Sequence, residues 1–369
     1  MQMPEPIHAA SRRSILLNSL AGVAGVSGLA GWPGQIHALP ARTLVFPRDR
    51  GSHPAFRTEW WYITGQLASQ AAGPPRFGFQ LTFFRSRVDG TQAMASNFAA
   101  RQLVFAHAAV TDVQGKKLWH DQRIARAGFG VASASEQDMA IKLRDWSLKA
   151  DGARYTAELP ATDFALSLQF EETQSVLPQG NQGLSRKGPE EKQASYYYSQ
   201  PQLATQGSVQ VKGQNFAVTG KAWLDHEWSD ELLHPSAVGW DWIGMNLDDG
   251  GALTAFRLRD KDGQAVWAGG SLRSAAGALR IFNADEVRFE PLRSWTSPLT
   301  QTRYPIEWRV LTPLASFTVK AVIDNQELDS RGSTGSIYWE GLSELADSQG
   351  RRIGMGYLEM TGYAQALRL

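Results

Sequence analysis

The chain has 369 residues and no cysteine, with 37 basic against 36 acidic side chains and a formal charge of +1. A balanced charge without a basic stripe argues against a nucleic-acid partner. Without cysteine, stability rests on the core and not on disulfides, and thirteen Trp with sixteen Phe supply the large side chains of a cavity or a sandwich core.

Residues 1–41 read as a signal peptide. Arg12-Arg13 precede a weakly apolar run from Ile15 to Ala30, and small residues lead to cleavage after Ala38 or Ala41. The run is short and Gly-diluted for a membrane span, and paired arginines point to the twin-arginine route. A periplasmic or secreted protein is expected. The remainder suits two domains, set at 42–215 and 216–369.

After an irregular arm, Phe56 to Leu67 is rich in aromatic and β-branched residues and predicts a strand. Alternation puts Glu59, Trp61 and Ile63 on one face and Trp60, Tyr62 and Thr64 on the other. Glu59 reads either as a salt-bridged strand carboxylate or as a polar group in a barrel mouth. Phe77 to Phe83 and Leu103 to Ala109 alternate clearly. His107 reads as a hydrogen-bonded interior histidine, since no second His stands at metal spacing. Ile141–Leu148, Tyr155–Leu159 and Phe164–Phe170 follow as strands. Gln174 to Ser195 is polar, Gly/Pro-rich and aperiodic, a lid or binding loop. Tyr196-Tyr197-Tyr198 re-enters a strand, either as a β-rich surface or with phenols rimming a pocket.

The densest chemistry lies in Thr219 to Gly250, which holds Asp225, His226, Glu227, Trp228, Trp240, Asp241 and Trp242. A carboxyl or imidazole against aromatic walls has a shifted pKa and can serve as a general acid, or as the polar end of an apolar pocket. Asp225, His226 and Asp241 are the candidate catalytic residues. If the strand continues, Thr219, Lys221, Trp223, Asp225 and Glu227 share one face and His226 and Trp228 the other, so only one of Asp225 and His226 can face a pocket. Ser229 to Ala237 reads as a loop, and Gly239 to Asn246 as a strand with Asp241 opposed to Trp240 and Trp242. Seven further strand segments run from Leu253 to Tyr363, with a hairpin at Lys261-Asp262-Gly263. Many short strands and scarce helical periodicity give an all-β, antiparallel sandwich or barrel. There is no Gly-x-Ser-x-Gly elbow, no phosphate-binding Gly loop and no His-Glu-x-x-His, and no cofactor or metal is expected.

Glu59-Trp60-Trp61-Tyr62-Ile63-Thr64-Gly65 resembles the Glu-Trp-Trp-Tyr-x-x-Gly signature of the AttH-like family, which includes carotenoid 1,2-hydratases. The loop carrying Gly180, Gly183 and Lys187, the segments Trp223–Trp228 and Gly239–Trp242, and the end segments Tyr338–Gly341 and Gly356–Tyr363 are similar to that family in the same order. The resemblance implies two packed lipocalin-like antiparallel β-barrel domains. It implies an apolar, lipid- or isoprenoid-like ligand, an association with an ABC-type permease, or acid-catalysed hydration, hydrolysis or isomerisation of an apolar substrate. His226 and Trp228 match the family's His-x-Trp. The hydratases' Tyr-x-Asp on the following strand is replaced here by Leu253-Thr254-Ala255-Phe256. The ligand-binding candidates are Glu59, Trp61, Tyr62, Tyr197, Trp228, Trp240, Trp242, Glu340 and Glu359.

Overall fold

The computed structural model describes residues 38–69 and 73–367. The signal-peptide segment falls almost wholly outside them. The described residues hold 23 strands, two short 3-10 turns and no α-helix.

The first sheet takes β1 (Thr58–Ala68), β2 (Phe77–Arg87), β3 (Gln102–Asp112), β4 (Lys117–Arg126), β5 (Ala132–Ala134), β6 (Ala140–Leu143), β7 (Trp146–Asp151), β8 (Arg154–Pro160) and β9 (Phe164–Glu171). It adds the short β10 (Leu177–Pro178) and β11 (Leu184–Arg186) and the long β12 (Ala194–Val211) and β13 (Gln214–Glu231). The second takes β14 (Gly239–Leu247), β15 (Ala252–Arg259), β16 (Ala265–Arg273), β17 (Leu279–Phe282) and β18 (Arg288–Thr296). It ends with β19 (Arg303–Leu311), β20 (Ser316–Ala321), β21 (Glu327–Ser330), β22 (Ser336–Ala346) and β23 (Arg352–Met360).

Both sheets are antiparallel meanders in which the first strand pairs with a late one: β1 lies between β2 and β13, and β14 between β15 and β23. In the first sheet β3 and β4 curl round to touch β6, so it is nearly closed into a barrel. Curling is the way a long antiparallel sheet hides its edges.

The alternation read from the sequence sets three apolar layers. Trp61, Ile63, Phe77, Phe79, Leu81 and Leu224 fill the interior of the first sheet. Ile243, Met245, Leu253, Ile306, Trp308 and Leu358 fill that of the second. Between the two sheets lie Tyr62, Trp223, Trp242, Phe256, Leu342 and Tyr357. Gly78 lets the sheets approach here, because a Cβ on it would stand 2.8 Å from the Tyr357 hydroxyl and 2.9 Å from Leu342 Cβ.

Two expectations need correction, and one strand was not foreseen. The boundary at 215/216 falls inside the first sheet: Lys212 and Gly213, both at positive φ, turn the β12–β13 hairpin, and the chain leaves for the second sheet only between Glu231 and Gly239. The strand expected from Ile141 to Leu148 is a hairpin, β6–β7, because Arg144 takes φ 57°. Strand β4 lacks a buried face and so showed no apolar alternation.

Candidate functional site

A cavity of about 350 Å³ lies between the sheets. Its first-sheet wall comes from Trp60, Tyr62, Thr82, Phe84, Phe105 and His107, with Lys187, Tyr197, Asp225 and Glu227 from the loop and the β12–β13 pair. Its second-sheet wall is Trp240, Trp242, Phe256, Tyr338, Glu340 and Glu359. This is a largely apolar chamber with convergent polar groups, the usual make-up of a small-molecule site.

The register fixes which side chains enter it. Trp60, Tyr62 and Thr64 pair with Glu227, Asp225 and Trp223; these share the cavity-side face. Glu59 and Trp61 pair with Trp228 and His226 and point into the first barrel. Asp225 and His226, adjacent in sequence, therefore face different compartments.

Asp225 is 3% exposed. Its Oδ1 accepts hydrogen bonds from Ser199 Oγ and, at 2.7 Å, from Trp223 Nε1, and its Oδ2 accepts from Tyr197 OH at 2.7 Å. Trp242 Nε1 donates in turn to Tyr197 OH at 3.3 Å. Burial outweighs these bonds and pushes the Asp225 carboxyl up to about 7. Glu227 is held by Lys187 Nζ at 3.0 Å and by Ser195 Oγ. The Lys187 ammonium lies over the rings of Phe256 and Tyr197, at 4.4 and 4.6 Å, a cation–π cage.

Glu340 and Glu359 are direct cross-strand partners. Burial, and then the neighbouring Glu359 charge, push the Glu340 carboxyl well above the usual carboxylate range. Burial pushes Glu359 up to about 7, with Asp225 and Glu227 adding repulsion. Two carboxyls so close cannot both ionise in an apolar chamber, so one holds its proton. Glu340 Oε1 and the Tyr62 hydroxyl are buried side by side and, apart from each other, meet no further hydrogen-bond partner among the described residues. His107 is also at the wall, bonded through Nδ1 to Tyr338 OH and through Nε2 to Ser333 Oγ, both at 2.8 Å. Burial lowers it to about 3, so it is neutral.

The other expected site residues lie elsewhere. Glu59 borders the cavity, but its carboxylate is taken up inside the barrel by Arg85 Nε (2.8 Å), Ser52 Oγ (2.9 Å), His53 Nδ1 (2.7 Å) and His226 Nε2 (3.0 Å). Burial alone would raise Glu59; its bonds to His226 and His53 and the charges of His226 and Arg85 override that and hold it well below the usual range. Burial lowers His226. Its ring stacks on Trp61 at 4.8 Å, and His53 stacks on Trp228 at 3.8 Å. Trp61, Trp228 and His226 are thus core partners of Glu59. Ligand atoms of His53, Glu59 and His226 lie within 4.8 Å of one another and could in principle hold a cation. Arg85, Ser52 and His53 already saturate the Glu59 carboxylate, which makes the set a poor fit to a metal.

Asp241 points away from the cavity, as its opposition to Trp240 and Trp242 requires. Arg257 Nε at 2.7 Å, Tyr363 OH at 2.8 Å and Arg259 Nε at 3.5 Å surround it. Of the three candidate catalytic residues, the structure brings only Asp225 to the chamber. It brings together Tyr62, Tyr197, Trp240, Trp242, Glu340 and Glu359 from the binding candidates. It adds Lys187, Glu227 and His107. Glu227 was findable, since it alternates with Asp225; Lys187 lay in an aperiodic loop that carries no face information.

The AttH-like family profile matches residues 37–363. An AttH-type protein of Nitrosomonas europaea is 46% identical, with 88% of this chain and 99% of that one covered and a TM-score of 0.82. Kievitone hydratase from Nectria haematococca shares the fold at 13% identity, covering 87% of this chain and 93% of that one, with a TM-score of 0.65. CghA does so at 15% identity, 90% and 96% coverage and a TM-score of 0.56. No curated protein matches the chain in sequence. The profile match over nearly all the described residues, joined to the fold, places this chain in the AttH-like family.

Proposed function

We propose that the chain is an enzyme that protonates an apolar substrate in the intersheet cavity, with the Glu340 carboxyl as the acid. The observation that carries this reading is the buried Glu340 carboxyl, facing the chamber with the Tyr62 hydroxyl as its neighbour and no further partner for its Oε1 among the described residues. A carboxyl that burial keeps neutral still has its proton to give near neutral pH, which is what a general acid needs.

The chemistry follows from what surrounds the acid. An alkene π pair takes the Glu340 proton and becomes a C–H bond. The adjacent carbon is then a cation, which the faces of Trp240, Trp242 and Phe84 stabilise. A water oxygen adds to that carbon and returns a proton to the Glu340 carboxylate, giving hydration. Loss of a neighbouring proton to the same carboxylate gives isomerisation instead. A hydratase among the proteins that share this fold supports the reading. Glu340, Glu359 and Asp225 stand in this chamber, and no Tyr-x-Asp pair is present on Leu253-Thr254-Ala255-Phe256.

A second reading keeps the same chamber and omits turnover. The apolar wall and the braced Trp242–Tyr197–Asp225 chain also suit a carrier that passes a lipid- or isoprenoid-like molecule to an ABC-type permease. Export by the twin-arginine route to the periplasm belongs to both readings.

The test is to incubate purified protein with a lipid extract of its own cell envelope in heavy-oxygen water, then analyse the extract by mass spectrometry. Label incorporated by the parent and not by Glu340→Gln supports the enzyme. One molecule retained unchanged by both proteins supports the carrier.

A further inference from the structure

At one end of the cavity, the wall continues onto an exposed aromatic patch. Leu103, Phe105 and Ile124 line the chamber, and Leu103 pairs across β3–β4 with Arg126. The Arg126 guanidinium lies over Phe129 at 4.0 Å and Phe98 at 5.6 Å. These two rings stack on each other at 5.7 Å, yet they are 61% and 76% exposed. Met94 (51%), four residues before Phe98, Ile124 (38%), on β4, and Val131 (37%), two residues after Phe129, are exposed as well.

Stacked phenyls in water are unusual unless something covers them. Phe129 is held in that position by an unfavourable backbone: it takes φ 57° between Gly128 and Gly130, which are also at positive φ. A bulky residue in that region is strained, so the turn holds the ring outward against its own preference. The cations of the patch meet no carboxylate among the described residues. Arg101 and Arg126 donate to the carbonyls of Met94 and Phe98, 2.8 Å each, and not to carboxylates. The acid of the neighbouring turn, Asp89, is already bridged by Arg87 at 2.7 Å.

We propose that Phe98, Phe129 and Met94, flanked by Arg101 and Arg126, dock this end of the protein on an anionic lipid surface, so that the cavity mouth opens onto the bilayer. Aromatic rings seat at the level of lipid headgroups, and basic side chains beside them meet anionic phosphates. Charge complementarity and the continuity of the patch with the cavity wall choose this occupant over a protein partner. An apolar substrate can then pass from lipid to chamber without crossing water. The docking does not depend on the chemistry at Glu340, and its test does not read turnover.

The chain has no cysteine, so F129C carries a single environment-sensitive fluorophore, and L314C, in the β19–β20 hairpin, carries the control. Vesicles are made from equal parts phosphatidylglycerol and phosphatidylcholine, or from phosphatidylcholine alone. The expected result is a blue shift at position 129 on anionic vesicles, little on neutral ones, and none at position 314. In sedimentation of the full chain, F98S/F129S should weaken binding to anionic vesicles by at least roughly tenfold. R101E/R126E should remove the preference for anionic lipid. Residues 1–37 are the same in parent and variants, so they cancel. Because every substituted side chain is at the surface, melting temperatures should stay close to the parent's. Equal sedimentation of parent and F98S/F129S overturns the proposal. So does a blue shift at position 129 without lipid that grows with protein concentration, which assigns the patch to self-association.

Discussion

Glu340 on β22 stands directly opposite Glu359 on β23, across a strand pair that faces a largely apolar chamber. Antiparallel partners on one face have Cβ atoms only about 5 Å apart, so each carboxyl senses the other's charge. The first consequence concerns rate. If Glu340 delivers the proton, Glu340→Gln should lower turnover by about 10²- to 10⁴-fold, the range for loss of a general acid. Gln keeps the size and polarity, so affinity for an apolar ligand should change little. Rates of label incorporation and ligand titrations check this together; equal loss of both would remove Glu340 from the acid role.

The rate should also depend on pH in a stated direction. Glu359, the cross-strand partner of the acid, and Asp225, whose charge acts on Glu359, are each pushed up to about 7 by burial. Below that pH they are neutral. Above it their negative charge makes Glu340 hold its proton more tightly, and a more weakly acidic donor is slower. Activity should therefore fall as pH rises through about 7. Glu359→Gln should flatten that limb while leaving the low-pH rate in place. A limb that is unchanged in the variant would assign the titration to Asp225.

Stability carries a related signature. Burial lifts Asp225 from the usual 3.8 to about 7. Its folded pKa is raised, so the stability it allows is complete below 3.8 and is lost as pH rises through about 7. The loss approaches roughly 4 kcal/mol at most, by the conversion of a pKa difference into free energy. Asp225→Asn cannot ionise and should escape this loss. The variant's advantage in urea should be smallest near pH 4 and should grow up to pH 8.5. Parallel curves across that range would mean that Asp225 is already ionised in the folded protein.

Much of this arrangement was legible in the sequence. Alternation along β1 and β13 separates Glu59 from Tyr62 and Asp225 from His226, and the structure places them on those faces. The opposition of Asp241 to its flanking tryptophans was equally readable. Which side of each strand is the chamber was not, because two aromatic-rich faces look alike until a second sheet covers one. His226 and Asp241 were expected at the site because they crowd with Trp in the sequence. Their neighbours in space, Glu59 and Arg257, come from other strands. The aperiodic loop around Lys187 could be recognised as a binding loop. The inward approach of Lys187 to Glu227 depends on a contact across 40 residues of chain.

Asp241 should act on stability and not on turnover. Its carboxylate is fully buried and meets Arg257 and Arg259. Asp241→Asn leaves two guanidinium groups short of a counter-charge, a change that costs about 3–5 kcal/mol when the pair is fully buried and less here, where Arg257 keeps 13% exposure. A lower melting temperature with unchanged ligand affinity is expected. An unchanged melt with lost turnover would return Asp241 to the catalytic list.

Glu59 gives the sharpest contrast with the chamber. It is as buried as Glu340, yet its pKa moves the opposite way, because Arg85, His53 and His226 surround it. A depressed carboxylate contributes stability that is present above its unfolded pKa and is lost as pH falls. Asp49, lowered while it bonds His53 and Arg42, acts in the same sense. Acid should therefore loosen the first barrel, whereas alkali should strain the chamber through Asp225 and Glu359, leaving maximum stability between the two. Glu59→Gln removes the anion from a buried cationic cluster and should cost about 3–5 kcal/mol at neutral pH. The difference from the parent should shrink as pH falls below 4.5, where the unfolded parent takes up a proton that folded Glu59 does not. Urea unfolding at pH 7 and pH 3.5 measures it. If Glu59→Gln unfolds with the parent at pH 7, the carboxylate is not the anchor of the arm that carries Asp49 and His53.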